Sequence, residues 1–236
     1  DKYLDTLDKQ LTKTLGVWSD NYREQLSEIF ADCYEFEKQS LVKAYEVPAT
    51  AIATPSNLAA LSYVAMAKPL PLTGNTGIPL DDLIKDLNNN EVKRIKQAVR
   101  MGHFEGKTNQ QLVQQIRGTR ANKFKDGILQ TTTRNAEAIV RTGVQQVAND
   151  ARLEIAKQNS DIVIGEQIIS QLDGRTSQVC RSLDGRVFKV GEGRRPPFHI
   201  NCRTTFILVL DPKYRGKGNT DKRASYEGVT DNKSYY

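Results

Sequence analysis

Histidine occurs twice and cysteine three times in 236 residues. So few cysteines exclude a disulfide-stapled scaffold, and two histidines leave few ways to build histidine-based chemistry. No apolar run reaches the roughly 18 residues that a membrane span needs. No basic start followed by an apolar stretch and a small-residue cleavage site marks a secretory leader. Hydrophobic residues make up 38% and the mean hydropathy is -0.55, a lower apolar share than globular domains usually carry. Part of the chain is therefore expected to be extended, helical and solvent-facing. The length predicts one or two domains, and no internal repeat of fixed period is present.

Charge is unevenly placed. The net +6 divides into about -5 over residues 1–90 and about +11 over residues 91–236. That basic excess is less dense than the stripe of an obligate nucleic-acid binder. Contact with phosphate and a plain solvated basic face both fit it.

The first 46 residues lack proline, and Leu4, Leu7, Leu11, Leu15, Trp18, Tyr22, Leu26, Ile29 and Cys33 recur every three or four positions. This spacing predicts a long amphipathic helix, bent or divided near Gly16. Its stripe must lie against the rest of the chain or against another subunit. Residues 47–78 read as a connector, because Pro48, Pro55, Pro69 and Pro71, with Pro79 just beyond, break any long helix. A short helix over Leu58–Met66, an extended Lys68–Leu72 and a turn at Gly74–Gly77 fit there. The main body, residues 79–210, opens with a helix started by Pro79 and interrupted at Asn88–Asn90, then a second helix over Glu91–Met101. Thr108 caps a helix that Gly118 stops, and Thr131–Thr133 open a long one to about Lys157. After Asn159 the period changes to that of strands: Ile162–Ile164, Gln167–Leu172, Arg186–Val190 and Thr204–Leu210. Residues 211–236 form a polar basic tail. The fold class is thus α+β and mainly helical, with a small antiparallel sheet near the C-terminus.

Within 23 residues stand Cys180, His199 and Cys202, two of the three cysteines and one of the two histidines. These are ligand types that zinc takes. Pro196-Pro197 sets a tight turn, and two residues between His199 and Cys202 let both side chains point at one centre. Cys180 comes from the turn before the next strand. Asp173, Ser177, Asp184 and water are candidates for a fourth ligand, and Asp173 is carried forward. A Cys180–Cys202 disulfide and a Cys–His catalytic dyad are competing readings. The His-x-Glu and Pro-Cys-x-x-Cys of a zinc deaminase are absent. Arg175, Arg181, Arg186, Arg194, Arg195 and Arg203 surround the motif. They either bind phosphate or solvate a small sheet and pair with Asp173 and Asp184.

The stretch Leu172-Asp-Gly-Arg-Thr-Ser-Gln-Val-Cys180-Arg-Ser-Leu-Asp-Gly185, continued by Arg195-Pro-Pro-Phe-His199-Ile-Asn-Cys202-Arg, resembles the phage Mu protein F-like family. These are minor capsid, or head morphogenesis, proteins of tailed bacteriophages. The preceding helix, with Arg141-Thr142 and Ala148-Asn-Asp-Ala-Arg152, is also similar, and the likeness runs from about Pro79 to Leu210. Two positions depart from the family pattern. Ser177 stands where many members carry a second cysteine, and Gly143 where members often carry Glu.

The resemblance implies a structural role without enzymatic activity, in the virion and, during assembly, in the host cytoplasm. It implies a place in the capsid interior near the portal vertex. The implied partners are the portal protein, a major capsid or scaffolding protein, and packaged double-stranded DNA. The alternative function is a zinc-dependent or Cys-dependent hydrolase or toxin-associated domain. It finds no supporting acid cluster or phosphate loop in the sequence.

Overall fold

The computed structural model of the chain describes residues 2–44, 47–70, 77–214, 222–225 and 228–231. The described backbone is mainly helical, and its sheets are small and antiparallel. Helix α1 (Lys2–Ala44) is continuous. Gly16 does not divide it, and nothing lies within 4 Å of where a side chain there would begin. The chain divides into two compact units, one of residues 1–24 and 80–141, the other of residues 25–79 and 142–236. No helix among the described residues is long and apolar enough to cross a membrane.

The first unit is built on α1 up to Glu24, α3 (Leu80–Phe104), α4 (Asn109–Arg117) and the start of α5 (Ile128–Gln158). Trp18 stacks on Tyr22, whose buried hydroxyl donates to the carbonyls of Ile139 and Val140. The interruption expected at Asn88–Asn90 does not occur, and α3 runs straight through it. Tertiary contacts override the weak propensity of three asparagines there. Asn88 donates to Ser19 Oγ at 2.8 Å. One turn on, the buried Glu91 accepts from Thr132 at 2.6 Å, Asn135 at 3.2 Å and Arg94. Thr108 caps α4 as its sequence predicts, in a reciprocal box with Gln111. Helix α5 begins at Ile128, three residues before the expected Thr131, directly after Gly127.

In the second unit the buried stripe of α1 runs Leu26, Phe30, Tyr34 and Leu41, one position on from the expected Ile29 and Cys33. Ser27 bonds Ser62 of α2 (Leu58–Ala67), and Tyr34 donates to the Ala53 carbonyl. Asn57 caps α2, which supports the expected short helix. Strands β1 (Pro69–Leu70) and β2 (Ile78–Pro79) pair antiparallel. The turn expected at Gly74–Gly77 and the end of the Lys68–Leu72 segment fall largely outside the described residues.

The sheet that carries the Cys/His motif has the order β4-β3-β5, from β3 (Val163–Ile169), β4 (Val187–Phe188) and β5 (Thr205–Leu210). The two runs expected on either side of Gly165-Glu166 are one strand, β3. A register shift between Val163 and Gly165 changes which side faces inward. Val163 is buried before the shift, and Glu166 and Ile168 after it. A carboxylate inside a strand reads as a break, yet Glu166 is held by Arg195 Nε at 2.6 Å and by the Gly191 backbone N–H at 2.9 Å. Beyond Leu210, β6 (Lys222–Ser225) and β7 (Gly228–Asp231) form an antiparallel hairpin. The other residues expected in the tail, apart from 211–214, lie outside the described set.

Candidate metal centre

Three short pieces of chain converge on one point of the second unit. The first carries Cys180, which sits on a short helix, α6 (Gln178–Leu183), rather than in the turn expected there. Ser177, standing where a second cysteine was sought, is the cap of that helix. Its hydroxyl accepts the Cys180 backbone N–H at 3.3 Å, so its oxygen is committed to the backbone. Helix α6 ends at Asp184-Gly185, where Gly185 adopts φ 75° and supplies a left-handed conformation that costs other residues more.

The second and third pieces are His199 and Cys202, the two ends of one turn. The Cys202 N–H bonds the His199 carbonyl at 3.2 Å, and Asn201 between them has φ 58°. Asparagine tolerates that left-handed position, which gives the His-x-Asn-Cys order its physical reason. Thr142 on α5 fixes the turn from beneath, its Oγ1 accepting the Asn201 N–H at 3.0 Å. Asn149, two turns further along α5, donates to the Pro196 carbonyl at 3.1 Å. The sequence showed these two residues only as part of a family-like helix. Their role as supports for the motif was not readable from their spacing.

The ligand atoms meet closely. Cys180 Sγ lies 3.3 Å from His199 Nε2 and 3.7 Å from Cys202 Sγ, and all three atoms fall within 4.8 Å of one another. Two thiolates about 2.3 Å from a tetrahedral zinc stand about 3.8 Å apart, so the sulfur spacing fits that ion. His199 Nδ1 donates to the Ile200 carbonyl at 2.9 Å. The bond leaves the Nε2 lone pair facing the sulfurs, as a backbone partner does for a ligating imidazole. Both cysteines are free and buried. They belong to the core of this unit, with Leu153, Ile168, Leu183, Phe198 and Phe206. The Cys180 hydrogen bond lowers the pKa of the Cys202 thiol, helped by backbone groups of Phe198 and Thr204, while the same bond and burial raise that of Cys180.

Asp173 does not join them. Its two oxygens take both prongs of Arg203, at 2.6 and 2.7 Å, and Oδ1 also accepts the Arg175 N–H at 2.8 Å. Those bonds hold its carboxyl well below the usual carboxylate range. Asp184 is committed as well, accepting the Ser170 N–H at 2.7 Å. Of the residues expected to bind metal, Cys180, His199 and Cys202 are brought together, and Asp173 braces the loop beside them. The arginines are partly spent in the same way. Arg203 pairs with Asp173, Arg195 with Glu166, and Arg194 lies over the Phe198 ring.

Residues 93–207 match the family described as Phage Mu protein F like protein. No curated protein and no solved structure matches the chain.

Proposed function

Residues 93–207 are a phage Mu protein F-like segment, and from that premise we propose that the chain is a structural minor capsid protein of a tailed bacteriophage. In this reading it joins the head during morphogenesis, sits at the portal vertex on the capsid interior, and contacts packaged double-stranded DNA. The observation that carries the reading is the placement of the family-like motif. Cys180 and Cys202 are built into the hydrophobic core of the second unit. Cys180, His199 and Cys202 would hold a zinc ion and so tie α6 to the His199–Cys202 turn, with one position of the tetrahedron left to a further ligand.

The engagement of the two carboxylates beside the motif supports a structural role over a hydrolytic one. Both nearby carboxylates, Asp173 and Asp184, are engaged with Arg203 and with the Ser170 backbone. A hydrolytic zinc site needs a group positioned to move a proton to or from the bound water. The test is to assemble heads with and without the chain and to identify their proteins by mass spectrometry. Stable retention of the chain in DNA-filled heads, together with co-purification with portal, supports the assignment. Heads that never contain the chain contradict it.

A further inference from the structure

A ten-residue loop of the first unit, Gly118–Gly127 between α4 and α5, stands apart from the motif and has a tightly fixed shape. Its two ends touch: a side chain on Gly127 would begin 2.3 Å from Gly118 N, and one on Gly118 would begin 2.7 Å from Asp126 Oδ1. Asp126 closes it from inside, accepting the Thr119 N–H at 2.7 Å, the Thr119 hydroxyl at 2.7 Å and Asn122 Nδ2 at 2.8 Å. At its tip Lys123 and Phe124, neither of them glycine, hold φ 52° and 61°. Strained backbone persists only where its surroundings enforce it, and such positions concentrate at functional surfaces.

The charge of this loop is one-sided. From Gly106 to Lys125 the sequence contains five basic residues and no acid. Lys107 is paired with Glu105. Among the described residues none of Arg117, Arg120, Lys123 and Lys125 has an ionic partner. Asp126, the single acid of the loop, is consumed by the loop's own hydrogen bonds. Arg117 lies 4.6 Å from the centre of the Phe124 ring. Arg117, Arg120, Val113 and Phe124 border an open cleft of about 510 Å³.

We propose that the Gly118–Gly127 loop is a preformed contact for the phosphodiester backbone of double-stranded DNA, with Arg120, Lys123 and Lys125 neutralising phosphates. The proposal rests on the DNA-contact part of the functional reading and assigns it a place. A duplex suits the loop better than a single strand. Its cations are numerous, whereas its one aromatic ring is already engaged by Arg117 and is not a free stacking platform. Asn122 spends its amide on Asp126, and the contact assigned to the cations is with phosphates, which carry no sequence information.

The test is binding of the full chain to a 30-base-pair duplex of arbitrary sequence, followed by fluorescence anisotropy across a salt series. Replacing Arg120, Lys123 and Lys125 together by glutamine is expected to weaken binding about ten- to a hundredfold and to flatten the slope of log affinity against log salt by about 2 to 3. Replacing Lys9 and Lys13 on α1 is expected to change little. Asp126→Asn separates shape from charge: it makes the loop more positive yet releases its closing bonds, and weaker binding is expected. An unchanged triple variant overturns the proposal while leaving DNA contact intact. Tighter binding by Asp126→Asn overturns the preformed shape. Wild-type chain that binds no duplex at low salt overturns both this proposal and the DNA-contact reading beneath it.

Discussion

Arg203 grips Asp173 with two parallel bonds, 2.6 Å from Nη1 to Oδ2 and 2.7 Å from Nη2 to Oδ1. The residue after Cys202 is thereby tied to the loop that leads into α6. A planar fork meets both carboxylate oxygens at once, which an ammonium group cannot do. Arg203→Lys is therefore expected to recover only part of the thermal stability lost in Arg203→Ala, as read by calorimetric unfolding.

The same pair gives a pH dependence of definite sign. Its hydrogen bonds hold the Asp173 carboxyl below its ordinary value in the folded chain. The stabilisation is present above the ordinary carboxylate range and is lost as pH falls through and below it. Asp173→Asn is expected to lower the urea midpoint at pH 7 and to make the acid limb of the stability profile shallower. Metal content is expected to stay the same. Loss of metal in Asp173→Asn would return this residue to the ligand set.

Metal removal should be visible in the thiols. With zinc bound, Cys180 and Cys202 are ligands inside the core and Cys33 is the cysteine left half-buried. A thiol reagent is expected to label about one cysteine per chain before chelation and three after it, with a fall in Tm on chelation. Equal labelling in the unfolded chain before and after chelation, together with an unchanged Tm, contradicts bound metal.

Asn201 tests why the motif keeps its turn. At φ 58° a β-branched side chain is strained, so Asn201→Val is expected to cost about 1–2 kcal/mol in chemical unfolding. Asn201→Gly, free to adopt that conformation, is expected to stay near wild type and to retain metal. A Val variant as stable as the Gly variant would place the constraint elsewhere.

Glu166 and Arg195 form the buried counterpart of the Asp173 pair. Glu166 is 1% exposed and accepts from Arg195 at 2.6 Å and from the Gly191 N–H at 2.9 Å. Removing only the cation, in Arg195→Ala, leaves a buried carboxylate with the Gly191 N–H in place of its ionic partner and is expected to cost about 3 kcal/mol. Adding Glu166→Gln is expected to return a large part of that loss in a double-mutant cycle.

Much of the motif was legible because its chemistry is local. His199, Asn201 and Cys202 specify a turn by themselves, and Ser177 and Gly185 mark the limits of α6 even though that segment read as a turn. The features that were not legible depend on distant partners. Asn88–Asn90 looks like a break until Ser19, Thr132 and Asn135 are brought to α3. Glu166 looks like the end of a strand until Arg195 reaches it. Asp173 was a reasonable metal ligand by type and proximity, but Arg203, thirty residues on, occupies both its oxygens. The left-handed Lys123 and Phe124 leave no signature in residue type. An acid-free run ending in Asp126 and flanked by glycines was the one available sign of their loop.

The central claim is that this chain is a component of the phage head. The most direct measurement is a reconstruction of DNA-filled heads without imposed symmetry, with the chain located by a fused tag. The account predicts density at a single vertex, inside the shell and against the portal. Heads without that density, or with it on the outer surface or at all vertices alike, would contradict it.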